Sequence, residues 1–290
     1  MFRGSMVAIV TPFRNGRVDE RALEELIDFQ ILHGTDAIVP CGTTGESATL
    51  SHEEHRRVLE VTVGAVGGRV SVIAGSGSNS TEEAISLTRH AKAAGADGAL
   101  LITPYYNKPT QEGLFQHYSA IARAVDMPLV LYNIPGRTGV NLLPQTTARL
   151  TAFDNVVAIK EGTGSLQQIS ETIELCGERI DVLSGDDFTA LATMAVGGRG
   201  VISVSANVAP KEMAEMIHFA EQADYVKAKQ LHSRLFSLHT AMFLETNPIP
   251  VKTALSLMGK CTAELRLPLC GMGRDNAEKL GQTLKEFKLI

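Results

Sequence analysis

Short apolar runs recur along the chain, and each ends at a polar or glycine-rich turn. They lie at residues 6–10, 37–40, 70–74, 98–102, 129–132, 156–160, 181–184 and 200–204. Runs of this length, rich in branched residues and apolar at successive positions, predict parallel strands buried on both faces. Between them the apolar residues change to a 3.6-residue spacing, which predicts helices over 20–33, 52–66, 81–94, 111–125, 144–150, 166–176, 188–196 and 210–221. Start signals support several of these. Asp19 precedes the first, and Ser51 with Glu54 and Ser80 with Glu83 read as capping boxes. Gly34, Gly95 and Gly177 stand where helices should stop.

Eight strand–helix units in about 220 residues predict an α/β fold, a (β/α)8 TIM barrel. A doubly wound open sheet is the competing architecture, and it usually stops at fewer strands. Beyond the last unit the pattern is helical over 228–241, 250–259 and 276–287, interrupted by Asn247-Pro248-Ile249-Pro250 and Leu267-Pro268. The expected organisation is a barrel over residues 1–224 with a C-terminal helical appendage, residues 225–290, packed on it.

Composition narrows the function. Hydrophobic residues make up 44% and charged residues 20% of the chain, enough apolar material for one large core. A net charge of −5 argues against a nucleic-acid partner. No apolar run is long enough to span a membrane. The start, Met1-Phe2-Arg3-Gly4-Ser5, lacks a signal-peptide pattern. Cys41, Cys176, Cys261 and Cys270 are scattered, which reads as reduced thiols in a cytoplasmic protein.

In a barrel the chemistry sits at the C-terminal ends of the strands. Lys160 ends the apolar run Val156-Val157-Ala158-Ile159, and Tyr132 ends the run before it. Burial disfavours an ammonium, so a lysine there becomes a usable neutral amine. Beside a phenol, it suits Schiff-base chemistry on a carbonyl substrate. The alternative is a strand-end lysine reaching into water. Gly42-Thr43-Thr44-Gly45-Glu46 can cradle a carboxylate with backbone N–H groups and two hydroxyls, although it is also a plain strand–helix turn. Arg137 is either solvated or a bidentate clamp for a carboxylate. Gly75-x-Gly77-x-x-Ser80 approaches a dinucleotide fingerprint, but its third glycine is a serine, a better helix cap. His52 and His55 lack a third metal ligand nearby and read as exposed helix residues.

Taken together, Gly42-Thr43-Thr44-Gly45-Glu46-Ser47, Tyr105-Tyr106, Tyr132-Asn133-Ile134-Pro135-Gly136-Arg137-Thr138-Gly139, Ile159-Lys160-Glu161 and Leu183-Ser184-Gly185-Asp186-Asp187 occur in an order that resembles the dihydrodipicolinate synthase family of pyruvate-dependent class I aldolases. The likeness runs the whole chain, through Asn247-Pro248-Ile249-Pro250-Val251-Lys252 and Leu265-Arg266-Leu267-Pro268. Gly162, where relatives usually carry alanine, is a small departure. The resemblance implies that Lys160 forms a Schiff base with pyruvate and that the enamine attacks L-aspartate 4-semialdehyde. It implies Tyr132 as proton donor and acceptor, with Thr43 and a neighbouring subunit's Tyr106 completing a relay. Thr44, Ile202, Arg137 and Gly185 would bind substrate. No metal or organic cofactor is implied. L-lysine as feedback inhibitor would sit at Ser47, Ala48, His52, His55, Asn79, Glu83 and Tyr105. The family is usually a tetramer built from tight dimers.

N-acetylneuraminate lyase and the 2-keto-3-deoxy sugar acid aldolases share the lysine, the tyrosine and the barrel. Arg137 argues against the lyase, because a sugar acceptor needs hydroxyl partners rather than a cation. A catalytically silent sensor relative would have lost Lys160, Tyr132 or Thr43, and all three are present.

Overall fold

The computed structural model describes residues 2–290. Eight strands form one closed, all-parallel barrel: β1 Gly4–Ala8, β2 Ala37–Val39, β3 Ser71–Gly75, β4 Gly98–Ile102, β5 Leu129–Asn133, β6 Val156–Glu161, β7 Asp181–Ser184 and β8 Gly200–Ser203. Each strand pairs with the next in sequence, and β8 closes onto β1. The surrounding helices are α1 Glu20–Leu32, α2 His52–Val66, α3 Thr81–Ala94, α4 Gln111–Ala124, α5 Pro144–Leu150, α6 Leu166–Cys176, α7 Ala190–Ala195 and α8 Pro210–Glu221. Then come α9 Tyr225–Met242, α10 Ile249–Leu257 and α11 Arg274–Glu286.

The two-residue period of a strand sorts the core into two. Met6, Val39, Ile73, Leu100, Val130, Ala158, Leu183 and Ile202 fill the barrel interior, while Val7, Ile38, Leu129, Leu131 and Ile159 face the helices. Phe2 joins the interior set. A Cβ on Gly98 would lie 2.6 Å from the Phe2 ring, so that ring needs glycine at the start of β4. Tyr132 belongs to the interior set as well. Lys160, two residues after inward-facing Ala158, is thereby aimed inward too.

The structure departs from the sequence reading in places. The first strand runs 4–8 rather than 6–10. A small antiparallel hairpin, Phe13–Arg14 with Arg17–Val18, and a short helix, Pro135–Thr138, were not expected. The Ser51–Glu54 capping box forms in full, but that of Ser80 forms only by half. Ser80 Oγ accepts from the Glu83 N–H, while the Glu83 carboxylate accepts a hydrogen bond from Ser78 Oγ instead. All four cysteines are free. Among the described residues no helix is long and apolar enough to cross a membrane.

Candidate active site

Lys160 and Tyr132 are register partners on β6 and β5. The Lys160 Nζ lies 4.2 Å from the centre of the Tyr132 ring. Both side chains are buried, at 5% exposure each, which sets aside the reading of Lys160 as a solvated strand end. Burial lowers the Lys160 pKa to about 8, opposed by the charge of Asp187 and helped by that of Arg137. Burial raises the Tyr132 hydroxyl to about 12, while the Arg137 charge and a hydrogen bond with Thr43 pull it back. A neutral amine and a protonated phenol are thus both present near pH 8.

A small cavity of about 50 Å³ opens beside this pair. Thr43, Thr44, Gly185 and Arg137 line it, together with Val204, Phe243 and Asn247. Gly185 packs closely: a Cβ there would lie 3.1 Å from the Glu161 carbonyl oxygen. Ile202 does not line this space; it lies deeper, in the barrel interior, and Val204 takes the rim. Arg137 is exposed rather than buried, with Nη2 donating to the Asn247 carbonyl at 3.0 Å. Tyr106 is 89% exposed and lines neither this cavity nor the next, so it is not brought to Lys160 of its own protomer.

A larger cavity of about 510 Å³ shares Thr43, Arg137 and Asn247 with the first and continues outward. Ser47, Ala48, His52, His55, Glu83 and Tyr105 all line it. Asn79 does not; its amide donates to the Tyr105 carbonyl at 3.2 Å. His55 is not the exposed helix residue expected. It is 6% exposed, and Nε2 donates to the Gly75 carbonyl at 2.8 Å. Burial lowers its pKa, opposed by the hydrogen bond to Gly75. His52 remains exposed, 3.3 Å from Glu83.

Several participants were not singled out from the sequence. Asn247 Nδ2 donates to Thr44 Oγ1 at 3.0 Å, across 203 positions of chain. Asp187 is buried, and its Oδ2 accepts from the N–H groups of Val204 and Ser205 at 3.1 and 2.9 Å. Glu161 and Asn133 are register partners one position beyond Lys160 and Tyr132 and face away from them. Glu161 accepts from Asn133, Gln168 and the Thr163 N–H. The signal for that network was a carboxylate next to Lys160 inside an apolar strand, which has to find donors. Among the described residues no three His, Cys, Asp or Glu side chains are grouped to hold a metal ion.

The sequence pattern of the dihydrodipicolinate synthetase family matches residues 1–287. The 4-hydroxy-tetrahydrodipicolinate synthase of Citrifermentans bemidjiense is 62% identical over 290 residues, covering 100% of both chains. A chloride-inhibited dihydrodipicolinate synthase from Acinetobacter baumannii, solved with pyruvate, superposes with a TM-score of 0.98 at 49% identity, covering 100% of each chain. The enzyme from Cyanidioschyzon merolae, solved with lysine bound, gives 0.96 at 40% identity, covering 100% of this chain and 99% of that one.

Proposed function

Because this chain belongs to the dihydrodipicolinate synthetase family, we propose that it is a lyase that condenses pyruvate with L-aspartate 4-semialdehyde to give 4-hydroxy-tetrahydrodipicolinate, in lysine (diaminopimelate) biosynthesis. The observation that carries the reading is the Lys160–Tyr132 pair, buried at the C-terminal mouth of a closed barrel with the amine pKa near 8.

The chemistry follows from that pair. Neutral Lys160 attacks the ketone carbon of pyruvate. The carbinolamine then loses water to give an iminium, and a proton leaves the methyl carbon to give an enamine. That carbon attacks the aldehyde of the second substrate. The substrate's own amine finally adds to the iminium carbon and expels Lys160 as the ring closes. Tyr132 donates and accepts the protons of the carbinolamine steps, with Thr43 next in the relay. Lys160 is itself the electron sink, so the scheme uses no metal or organic cofactor.

Thr44 takes the pyruvate carboxylate, and Gly185 lines the same small cavity. Arg137, standing between the two cavities, takes the acceptor's carboxylate. We assign Tyr106 to the relay of a neighbouring protomer, which calls for at least a dimer; the assembly we propose is a cytoplasmic homotetramer, a dimer of dimers. Residues 1–224 serve as the barrel and 225–290 as the helical segment packed on it. L-lysine fits the larger cavity, with Glu83 facing its ammonium and Ser47, Ala48, His52, His55 and Tyr105 around it. Asn79 would reach such a ligand only after a side-chain movement.

Borohydride reduction with pyruvate tests the reading. Mass mapping is expected to find one reduced adduct, on Lys160, that disappears in Lys160→Arg, because a guanidinium is never a neutral nucleophile at working pH. Labelling elsewhere, or none in active protein, removes the Schiff-base mechanism. Faster cleavage of N-acetylneuraminate than condensation of the semialdehyde would transfer the chain to the sugar-acid branch.

A further inference from the structure

Next to the Thr43-Thr44 turn lies an ion pair that the chemistry above does not use. Lys252 Nζ donates to Glu46 Oε1 at 2.6 Å, and the two side chains are 0% and 1% exposed. Glu46 is among the residues lining the larger cavity, but its carboxylate is engaged by Lys252 and closed off from solvent. Every polar group of the pair is engaged. Glu46 Oε2 accepts from the Arg266 N–H at 3.1 Å. Lys252 Nζ also donates to the Glu264 carbonyl at 2.8 Å and stands 4.0 Å from the centre of the Phe13 ring.

Ion pairs sealed from water contribute little net stability, because desolvation offsets their attraction. What such a pair supplies is a unique geometry, and here that geometry has an evident object. Glu46 adopts the left-handed backbone region, φ +54°, which a non-glycine residue takes up only when something holds it there. Its N–H closes the turn onto the Thr43 carbonyl at 3.1 Å, and the Ser47 N–H closes it onto the Gly42 carbonyl at 3.3 Å. The same stretch of the C-terminal segment grips the turn a second time, where Asn247 donates to Thr44. Arg266 extends the grip to α2, meeting the Glu54 carboxylate through both terminal nitrogens at 2.6 and 2.5 Å.

We infer that Glu46 and Lys252 are positioning residues: their buried contact fixes the Thr43-Thr44 turn in the shape that receives the carboxylate of pyruvate, and makes the C-terminal segment part of the active site. The inference rests on the proposed reaction.

Lys252→Met keeps the length of the side chain and removes the charge, leaving the Glu46 carboxylate without its cation. The variant is expected to raise KM for pyruvate about tenfold, the worth of roughly one misplaced hydrogen bond, with a smaller change in KM for the semialdehyde. Leu114→Ala, a buried leucine of α4, is the control for general loss of stability. It is expected to lower the melting temperature and leave both KM values unchanged. A pyruvate KM in Lys252→Met that stays at the wild-type value while the melting temperature falls would overturn the inference. If Lys252→Met does not fold, Glu46→Gln, which keeps volume and the acceptor for Arg266, is judged by the same criterion: a raised pyruvate KM supports the inference and an unchanged one overturns it. Wild type that forms no borohydride adduct with pyruvate sinks the proposed reaction instead, so the two failures are distinguishable.

Discussion

Replacing Lys160 with methionine should abolish activity and stabilise the protein. In the folded chain the amine titrates near 8, against an ordinary value of 10.5. The folded state therefore binds fewer protons than the unfolded chain between about pH 8 and 10.5, and the stability of the wild type rises with pH across that window. At pH 7 the folded protein carries the whole cost of the buried ammonium, which at about 1.4 kcal/mol per tenfold is about 3 kcal/mol. Lys160→Met should thus gain about 3 kcal/mol at pH 7. With about 2.1 cal/mol/K per residue over 290 residues, the melting temperature should rise by about 5 °C. Thermal scans of both proteins without pyruvate, at pH 7 and pH 10, check this. By pH 10 most of the penalty has gone, so the advantage of the variant should shrink below about 1 kcal/mol. A variant less stable than wild type at pH 7, or one whose gain does not change with pH, would refute the claim that the site holds its lysine at a cost.

Three further outcomes follow from the same geometry. The kcat/KM for pyruvate should rise with pH through about 8, as Lys160 loses its proton, and a rate profile flat between pH 6 and 9 would contradict this. Arg137→Ala should raise KM for the semialdehyde far more than for pyruvate, by about tenfold or more for a lost charge-assisted clamp; equal effects on both substrates would make Arg137 structural. L-lysine at millimolar concentration should inhibit the wild type but not Glu83→Ala, and an inhibition curve that is flat in wild type or unchanged in the variant removes the regulatory role while leaving catalysis as described.

The barrel was legible because its signal is local and repeated: each apolar run sets the period of one strand, and each 3.6-residue pattern one helix. The inward aim of Lys160 follows from the same counting, two positions after Ala158. What the chain hid is what depends on distant partners. His55 has a helical neighbourhood like that of His52, yet one is buried on the Gly75 carbonyl and the other exposed, because helix spacing does not say which neighbour covers a given face. Glu83 stands at the N3 position of a capping box, but Ser78 and His52 draw its carboxylate away. Asn247 lies in a proline-rich stretch that reads as a helix breaker, and its bond to Thr44 crosses 203 positions. The hairpin at Phe13–Val18 contributes two residues per strand, too few for any period to be read.

The long reach of the C-terminal segment has a consequence for how the protein is made. The barrel cannot close until β8, ending at Ser203, has been synthesised to pair with β1. Even then the turn that bears Thr43 and Thr44 lacks Asn247, Lys252 and Arg266. At about 5–20 residues per second, a ribosome needs roughly 3 to 13 seconds more to reach residue 266. Through that interval the nascent chain holds Lys160 and Tyr132 on strands that can already pair, beside a Thr43-Thr44 turn with nothing behind it. A product cut short by premature termination just after the barrel would keep the amine and lose the backing of that turn, so competence arrives with the last fifth of the message rather than with the closing of the barrel.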